Sequence, residues 1–233
     1  MSKRHEIVDG KESYKSFGLI YTEVLGWIDL GHAQGTDIKT LLQQIDEGES
    51  SGKERYDVVY SQSMRERLHI VKMGKFIRWR IRRGRAYHER KSIALAMMMS
   101  LALKFEELQA SFPVNLITDS GFSGEDLVSD LLGFYRVVSD ERPFARLRPV
   151  SKAEALKRWD YYSKIGDWKN HGFTPLLFPD PEKFPHARPY KSVLPNFMQS
   201  VTPWSDFTSG KVCIATADGT YIDKAKGGTL PYA

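Results

Sequence analysis

Residues 87–109 read YHERKSIALAMMMSLALKFEELQ, and this stretch decides the fold that the sequence predicts. It has no Gly or Pro over about six turns, which predicts one long helix. Between Ile93 and Leu103 only Ser100 is polar, so the helix is apolar on all sides. A helix of this kind belongs in the middle of a domain, and it is too short to cross a bilayer, which needs roughly 20 apolar residues. We therefore expect a core helix around which the other segments pack.

The segments on either side of this helix show two further periodicities. Residues 37–48, DIKTLLQQIDEG, have apolar residues at helical spacing behind Thr36 as a cap. Residues 55–82 alternate with a period of two, which predicts a small antiparallel sheet with a turn at Gly74. Residues 212–223, VCIATADGTYID, predict a hairpin with its turn at Asp218 and Gly219. The predicted fold is α+β, with a mainly helical core around one buried central helix, a small antiparallel β-sheet and a C-terminal β-hairpin.

The domain organisation follows from where polar and Pro-rich stretches fall. Residues 1–16 are polar, and we expect them to form a flexible arm. The remainder, residues 17–233, predicts a single α+β domain, since no linker is pronounced enough to separate two. Residues 174–204 are rich in proline and aromatic residues, which predicts a segment that wraps the surface.

The composition of the 233 residues excludes several classes of protein. The one cysteine, Cys213, excludes an intrachain disulfide framework and a Cys-rich zinc site. The N-terminal residues lack an apolar run, so we expect no Sec-type signal peptide and no transmembrane segment. The expected location is the cytoplasm of the producing cell, with export that needs no signal peptide as the route to the envelope of a target cell.

The net charge of +5 is concentrated in one region. Residues 72–91 contain nine Lys and Arg against one acid, Glu89, a local balance of +8. Within it, Arg78, Arg80 and Arg82 fall on one face of the predicted last strand, about 7 Å apart. This ladder of guanidinium groups predicts a binding surface for an anionic polymer, although a solvated outer face of a sheet would give the same pattern.

Carboxylates next to apolar segments are the candidate catalytic groups. Glu106 lies on an otherwise apolar face of the predicted core helix, and burial raises the pKa of a carboxyl group. A glycosidase needs one protonated and one ionised carboxyl group around the scissile bond. Glu106 is the predicted proton donor, and Asp29, Glu125 or Asp126 is its ionised partner. The alternative is structural: Glu106 merely ends a helix, and Glu125 and Asp126 satisfy the dipole of a helix N-terminus.

His32 lies three residues after Asp29, so that on a helical turn the carboxylate could orient the imidazole. His32, Glu106 and Glu125 together would also be enough for an open divalent-metal site. No cofactor is required by the two-carboxylate scheme, and a divalent metal is the alternative.

Three segments resemble a family of functionally uncharacterised bacterial proteins. They are residues 18–34 (GLIYTEVLGWIDLGHAQ), 105–109 (FEELQ) and 121–133 (GFSGEDLVSDLLG). Members of that family pair G-I-V-Y-T, G-F-I-D and H-x-R with a later H-E-I and F-S-x-E-D-x-x-S-N-x-x-G. This sequence departs from the pattern at Gln34, Phe105 and Asp130, where the family has Arg, His and Asn. The missing histidine weakens a metal site built on two histidines.

The resemblance implies a set of residues that converge in space, without implying a reaction. Thr22 and Ser123 join the set as candidate substrate-binding residues. The whole set is Thr22, Asp29, His32, Glu106, Ser123, Glu125, Asp126 and Ser129.

These observations predict a bacterial hydrolase that acts on an anionic cell-envelope polymer, in particular a lysozyme-like peptidoglycan glycan-strand hydrolase serving as an antibacterial effector. A cognate immunity protein is its expected partner. The alternatives are a nucleic-acid-binding protein or metal-dependent nuclease-type toxin, which would use the same arginines on phosphates, and a non-enzymatic interaction protein.

Overall fold

The computed structural model describes residues 2–65, 71–111, 122–139 and 143–224. The first residue of the motif at 121–133, Gly121, lies outside these ranges. The helices in the described chain are α1 (Thr36–Ser50), α2 (Tyr87–Ala110), α3 (Asp126–Val138) and α4 (Lys152–Tyr162). The strands are β1 (Leu19–Thr22), β2 (Gly26–Asp29), β3 (Arg55–Arg65), β4 (Val71–Arg82), β5 (Leu176–Leu177), β6 (Tyr190–Lys191) and β7 (Val212–Lys224).

The fold is α+β, but the prediction of a mainly helical core around one central helix is wrong. The strands form two sheets: a mixed sheet in the order β1-β2-β5-β6 and an antiparallel sheet in the order β3-β4-β7. Both sheets bury side chains, so helix and sheet share the core. The error arose because strands that pair over long sequence distances leave no local signal comparable to the apolar run of α2.

The chain divides into two compact units of similar size. One consists of Met1–Thr36 and Phe122–Ser200, and the other of Asp37–Gly121 and Val201–Ala233. We refer to them as the first and the second unit. The prediction of a single domain over residues 17–233 stays a prediction.

In the second unit, helix α2 packs against β3 and β4. The helix was predicted from its sequence, and it begins at Tyr87 as expected. On β4, Ile77, Trp79 and Ile81 are buried, whereas Arg80 and Arg82 on the opposite face are exposed. Within the described residues no helix combines the length and the apolar character needed to cross a membrane.

The last strand corrects the predicted C-terminal hairpin. Residues 212–224 form one continuous strand, β7, which pairs along β4 rather than folding back on itself. Asp218 is held by Lys75, whose Nζ lies 2.7 Å from Oδ1, and Gly219 lies opposite Phe76. A Cβ atom at Gly219 would lie 2.3 Å from the Phe76 ring, so this glycine makes room for an aromatic side chain and forms no turn.

Gly74 is the second glycine that was predicted to turn the chain and does not. It lies inside β4, opposite Ser63 on β3 and Tyr221 on β7. A Cβ atom there would lie 2.4 Å from the carbonyl oxygen of Gln62 and 2.8 Å from the Tyr221 side chain. Glycine is required at position 74 because neighbouring groups approach the backbone closely there. Glycine permits such close approach, just as it permits turns.

The core of the first unit is aromatic. Trp27 on β2 contacts Tyr21 on β1 and Trp159 on α4, each edge to face, with ring centroids 5.3 and 5.7 Å apart. Ile7, from the segment predicted as an arm, is fully buried in this core. The Pro-rich segment contributes β5, which pairs in parallel with β2, and β6, which pairs with β5.

A contact between two glycines joins α3 to the loop after β2. Gly35 has a φ of +67° and lies so close to α3 that a Cβ atom there would be 2.3 Å from the carbonyl oxygen of Gly133. A Cβ atom at Gly133 would lie 2.9 Å from the carbonyl oxygen of His32. Neither position therefore has room for a side chain, and the loop that carries His32 rests directly on the α3 backbone.

The buried face of the β3-β4-β7 sheet gives a direct test of the corrected core. Ile81 is fully buried, and we expect Ile81→Ala to lower the free energy of unfolding by about 2–5 kcal/mol. Ile214 on the same sheet is 47% exposed, so the matched change Ile214→Ala should cost no more than about 0.5 kcal/mol. Urea denaturation followed by tryptophan fluorescence compares the two variants. If Ile81→Ala lowered the free energy of unfolding as little as Ile214→Ala does, this face of the sheet would not be part of the core.

Candidate functional site

The loop after β2 holds His32 through its neighbour Asp29. Asp29 Oδ1 accepts the backbone N–H groups of Gly31 at 2.6 Å and His32 at 3.2 Å. The backbone N–H of Asp29 donates to Ser129 Oγ on α3 at 3.0 Å, and that hydroxyl donates to the carbonyl oxygen of Glu125 at 2.6 Å. The carboxylate predicted to orient the imidazole thus fixes the backbone of the loop instead.

The imidazole itself pairs with Asp130. His32 Nδ1 lies 2.9 Å from Asp130 Oδ1, with 37% of the histidine side chain and 11% of the aspartate side chain exposed. Nε2 of His32 and Oδ2 of Asp29 make no hydrogen bond within the described ranges. The histidine side chain is partly exposed, whereas the aspartate side chain is mostly covered. We call Asp29, His32, Asp126 and Asp130 the acid–histidine centre.

The charge of this centre favours a protonated imidazole. Burial is the largest single influence and opposes the charged form, but the combined attraction of Asp130, Asp126 and Asp29 outweighs it and raises the pKa of His32 well above 6.5. This shift favours the imidazolium form, which can donate a proton. A general base at neutral pH would instead be a neutral imidazole, which an unshifted pKa of about 6.5 already provides.

Glu125 lies one turn before Ser129 and is enclosed. Ser2 Oγ donates to Oε1 at 2.6 Å, and Ser123 Oγ donates to Oε2. The side chain is 1% exposed. Because both oxygens already accept hydroxyl groups, Glu125 fits a role in holding the start of α3 rather than in contacting substrate.

Phe122, which directly precedes Ser123, has a strained backbone. Phe122 has a φ of +56°, a conformation that a bulky non-glycine residue rarely adopts. Its carbonyl oxygen accepts the N–H of Asn170 at 3.0 Å, and its ring stacks at a tilt on His171, with centroids 4.2 Å apart. Strain of this kind is concentrated at functional sites, where the surrounding contacts maintain it.

Two further predicted site residues are Glu106 and Thr22. Glu106 is on α2 in the second unit and is 2% exposed; its meeting with Asp29 and His32, and its role as proton donor, stay predictions. Thr22 closes the β1–β2 turn: its Oγ1 accepts the N–H of Leu25 at 3.0 Å and donates to the carbonyl oxygen of Gly26 at 3.2 Å.

A metal centre in the described part of the chain would need acidic, cysteine or histidine side chains that lie together. Within the described chain, no group of three or more His, Cys, Asp and Glu side chains is arranged to hold a metal ion. The metal set predicted from His32, Glu106 and Glu125 therefore gains no support from the geometry.

The predicted arginine ladder is partly neutralised. Arg80 makes two hydrogen bonds to Asp57, at 2.7 and 3.0 Å, which lower the pKa of that carboxyl group below its usual value. Arg82 Nε lies 3.9 Å from Glu54, and Arg78 is half-buried. Arg80 also lines an open groove of about 690 Å³ in the second unit, together with Arg55. This groove offers cations and acceptors side by side, not a uniformly positive surface.

Two contributors to the site were missed from the sequence. Asp130 was noted only as a departure from the family pattern, although Asp126 and Asp130 are four residues apart and share a face of α3, which the helical period could have indicated. Ser2 was placed in the arm, and no local signal links it to Glu125, 123 residues away.

Comparisons of the chain with protein-family models, curated proteins and solved structures gave no significant match. The resemblance to the uncharacterised bacterial family therefore stays a prediction.

The raised pKa of His32 can be measured directly. We expect NMR titration of the imidazole to give a value above 6.5 in the native protein and a clearly lower one in Asp130→Asn, which removes the paired charge. Asp160→Asn is the control, because Asp160 is an exposed carboxylate of the same unit that pairs with Arg4.

The same shift fixes the sign of a stability effect. Because the folded-state pKa lies above the unfolded value of about 6.5, the stabilisation from this pair is complete below that pH and is lost as the pH rises through the folded-state pKa. Asp130→Asn should remove this pH dependence. An unchanged dependence would show that the pair does not carry the shift.

Proposed function

We propose that the protein is a hydrolase that cleaves the glycan strands of peptidoglycan and serves as an antibacterial effector. The observation that supports this reaction class best is the His32–Asp130 pair: an imidazole whose pKa is raised by three carboxylates and whose side chain is 37% exposed. Hydrolysis of a glycosidic bond needs a proton for the departing oxygen, and this group can supply one at neutral pH.

The second group that such a reaction needs is an ionised carboxylate. Asp29 Oδ1 accepts two backbone N–H groups, and Oδ2 makes no hydrogen bond with any residue that the structure describes. In the proposed reaction His32 Nε2 protonates the leaving-group oxygen, and Asp29 activates water or stabilises positive charge on the sugar. Asp130 holds the imidazole in place through Nδ1 and compensates its charge.

We assign polymer binding to the charged groove of the second unit. The groove lined by Arg55, Arg80 and Asp57 offers charged donors and acceptors to an acidic glycan. The ion pair of Arg80 with Asp57 makes this face less suited to a phosphate backbone than the sequence alone indicated. The effector role, export to the envelope of a target cell and a cognate immunity protein are parts of the same proposal.

The reaction is tested with purified peptidoglycan sacculi, with and without chelator, and with mass spectrometry of the soluble products. Wild type should release muropeptides in both conditions. His32→Gln and Asp29→Asn should lower the rate by about 10²–10⁴-fold, the usual contribution of a positioned acid or base. His186→Gln, at an exposed histidine of the same unit, should leave the rate unchanged.

Other outcomes of this assay redirect the assignment. Glu106→Gln, if it alone abolishes release, would restore the carboxyl group on α2 as the proton donor. Release that chelator abolishes would require a metal. No release by wild type, either from sacculi or from glycan strands freed of their peptides, would overturn the hydrolase. Binding of nucleic acid that weakens steeply between low and physiological salt would then support the nucleic-acid alternative.

A further inference from the structure

A cavity of about 250 Å³ lies in the first unit beside the turn that joins β1 to β2. Aromatic and charged side chains line it together, and the residues that line it include none of the acid–histidine centre. Those that matter for its chemistry are Phe184, Tyr190, Arg148, Arg158, Asp180 and Lys183.

Two aromatic rings of the Pro-rich segment are exposed at this cavity. Phe184 is 58% and Tyr190 is 53% exposed. Large aromatic side chains left in solvent beside a concave site offer flat apolar surfaces to a ligand ring. The volume is slightly below the roughly 300–1,000 Å³ of sites that enclose drug-sized ligands, which indicates a single ring rather than an extended molecule.

Arg158 supplies a preorganised cation. Its side chain is 6% exposed and its guanidinium lies 4.7 Å above the centre of the Tyr21 ring. Nε donates to the carbonyl oxygen of Phe178 at 3.0 Å and Nη1 donates to that of Glu154 at 2.9 Å. Nη1 also pairs with the Glu154 carboxylate at 3.5 Å, so backbone and carboxylate oxygens hold the guanidinium in place before a ligand arrives.

Arg148 supplies a second cation from a strained backbone. Its φ is +51°, and its carbonyl oxygen accepts the N–H of Glu23 at 3.2 Å. Its side chain is 69% exposed, with Nε 3.6 Å from the Glu23 carboxylate. Glycine would adopt this left-handed conformation more easily than arginine. The presence of an arginine at this position therefore favours a role for the Arg148 side chain.

The charges of the cavity select the ligand. Three cations, Arg148, Arg158 and Lys183, and two carboxylates, Glu23 and Asp180, line the cavity, so the lining carries one positive charge. Arg148 pairs with Glu23, Lys183 with Asp180, and Arg158 with Glu154, which lies outside the lining. The balance of one positive charge suits a single carboxylate better than a phosphate, which carries about −1.5 to −2. The two carboxylates are acceptors for hydroxyl groups, so a ring that carries both hydroxyls and one carboxylate matches all the features.

We propose that this cavity binds one acidic hexose unit with a free carboxylate, with the sugar ring against Phe184 and Tyr190 and the carboxylate at Arg148 and Arg158. The assignment of this unit to the substrate rests on the proposed function. In intact peptidoglycan the carboxylate of the acidic sugar is tied up in the amide bond to the peptide. The preferred substrate is then a glycan strand whose peptides an amidase-type reaction has removed.

Binding is measured by NMR titration of the full chain with N-acetylmuramic acid, and with N-acetylglucosamine as the neutral sugar. We expect the acid to shift the resonances of Phe184, Tyr190 and Arg158, and the neutral sugar to bind at least about fivefold more weakly. Phe184→Ala should weaken binding of the acid about tenfold, a factor that corresponds to the loss of one good contact. Tyr14→Ala is the control, because Tyr14 is 77% exposed and lies outside the cavity.

Arg148→Gly separates function from folding. Glycine relieves the left-handed backbone, so this variant should unfold at a higher denaturant concentration while it binds the sugar acid more weakly. Higher stability with unchanged affinity, equal binding of the two sugars, or shifts confined to other residues would each overturn the proposal.

Cleavage of sacculi without binding of the acid would overturn the cavity assignment alone, whereas binding without cleavage by wild type would leave the cavity site and overturn the hydrolase.

Discussion

The close backbone contact between Gly35 and Gly133 is the constraint on which the acid–histidine centre depends. Because neither residue has a side chain, the loop after β2 rests on α3 with the carbonyl oxygen of His32 facing Gly133. Asp130 lies one turn before Gly133 on the same helix, and so its carboxylate reaches the His32 imidazole at 2.9 Å. Two residues nearly 100 positions apart in sequence thus form a pair through a contact made by backbone.

The electrostatic consequence of this contact is a raised pKa of the His32 imidazole. An isolated imidazole of ordinary pKa would be mostly neutral at neutral pH. With Asp130, Asp126 and Asp29 around it, His32 keeps its proton although partial burial opposes its charge. The hydroxyl and backbone bonds of Ser129 and Asp29 fix the loop and the helix in one arrangement, so that the carboxylates stay near the ring. The proposed hydrolysis requires this proton and one available carboxylate oxygen.

Much of the fold could be predicted where the signal was local. The apolar run of α2, the amphipathic α1 and the alternation of β4 each follow from residues within one element. The pairing of β7 with β4 could not be predicted, because Asp218 and Gly219 carry a strong local turn signal that pairing with a distant strand overrides. The pairing of β2 with β5 could not be predicted either, because these strands lie about 150 residues apart in sequence.

The candidate site was predictable in part for related reasons. Asp29, His32, Glu125 and Asp126 were singled out by residue type and spacing, but their roles depend on partners from other segments. Asp29 fixes a backbone loop, and Glu125 is enclosed by two serine hydroxyls. Sequence spacing indicates which residues share a helix face, and only tertiary contacts determine which carboxylate meets the imidazole.

The most direct test of the central claim is the imidazole pKa of His32 in Gly133→Ala, measured by NMR on a variant whose circular dichroism shows that it is folded. A methyl group at this position would lie 2.9 Å from the carbonyl oxygen of His32, so the loop must move away from α3. We expect the pKa of His32 to fall back toward 6.5, because the imidazole leaves Asp130. A pKa that stays as high as in the native protein would show that the glycine contact does not seat the histidine.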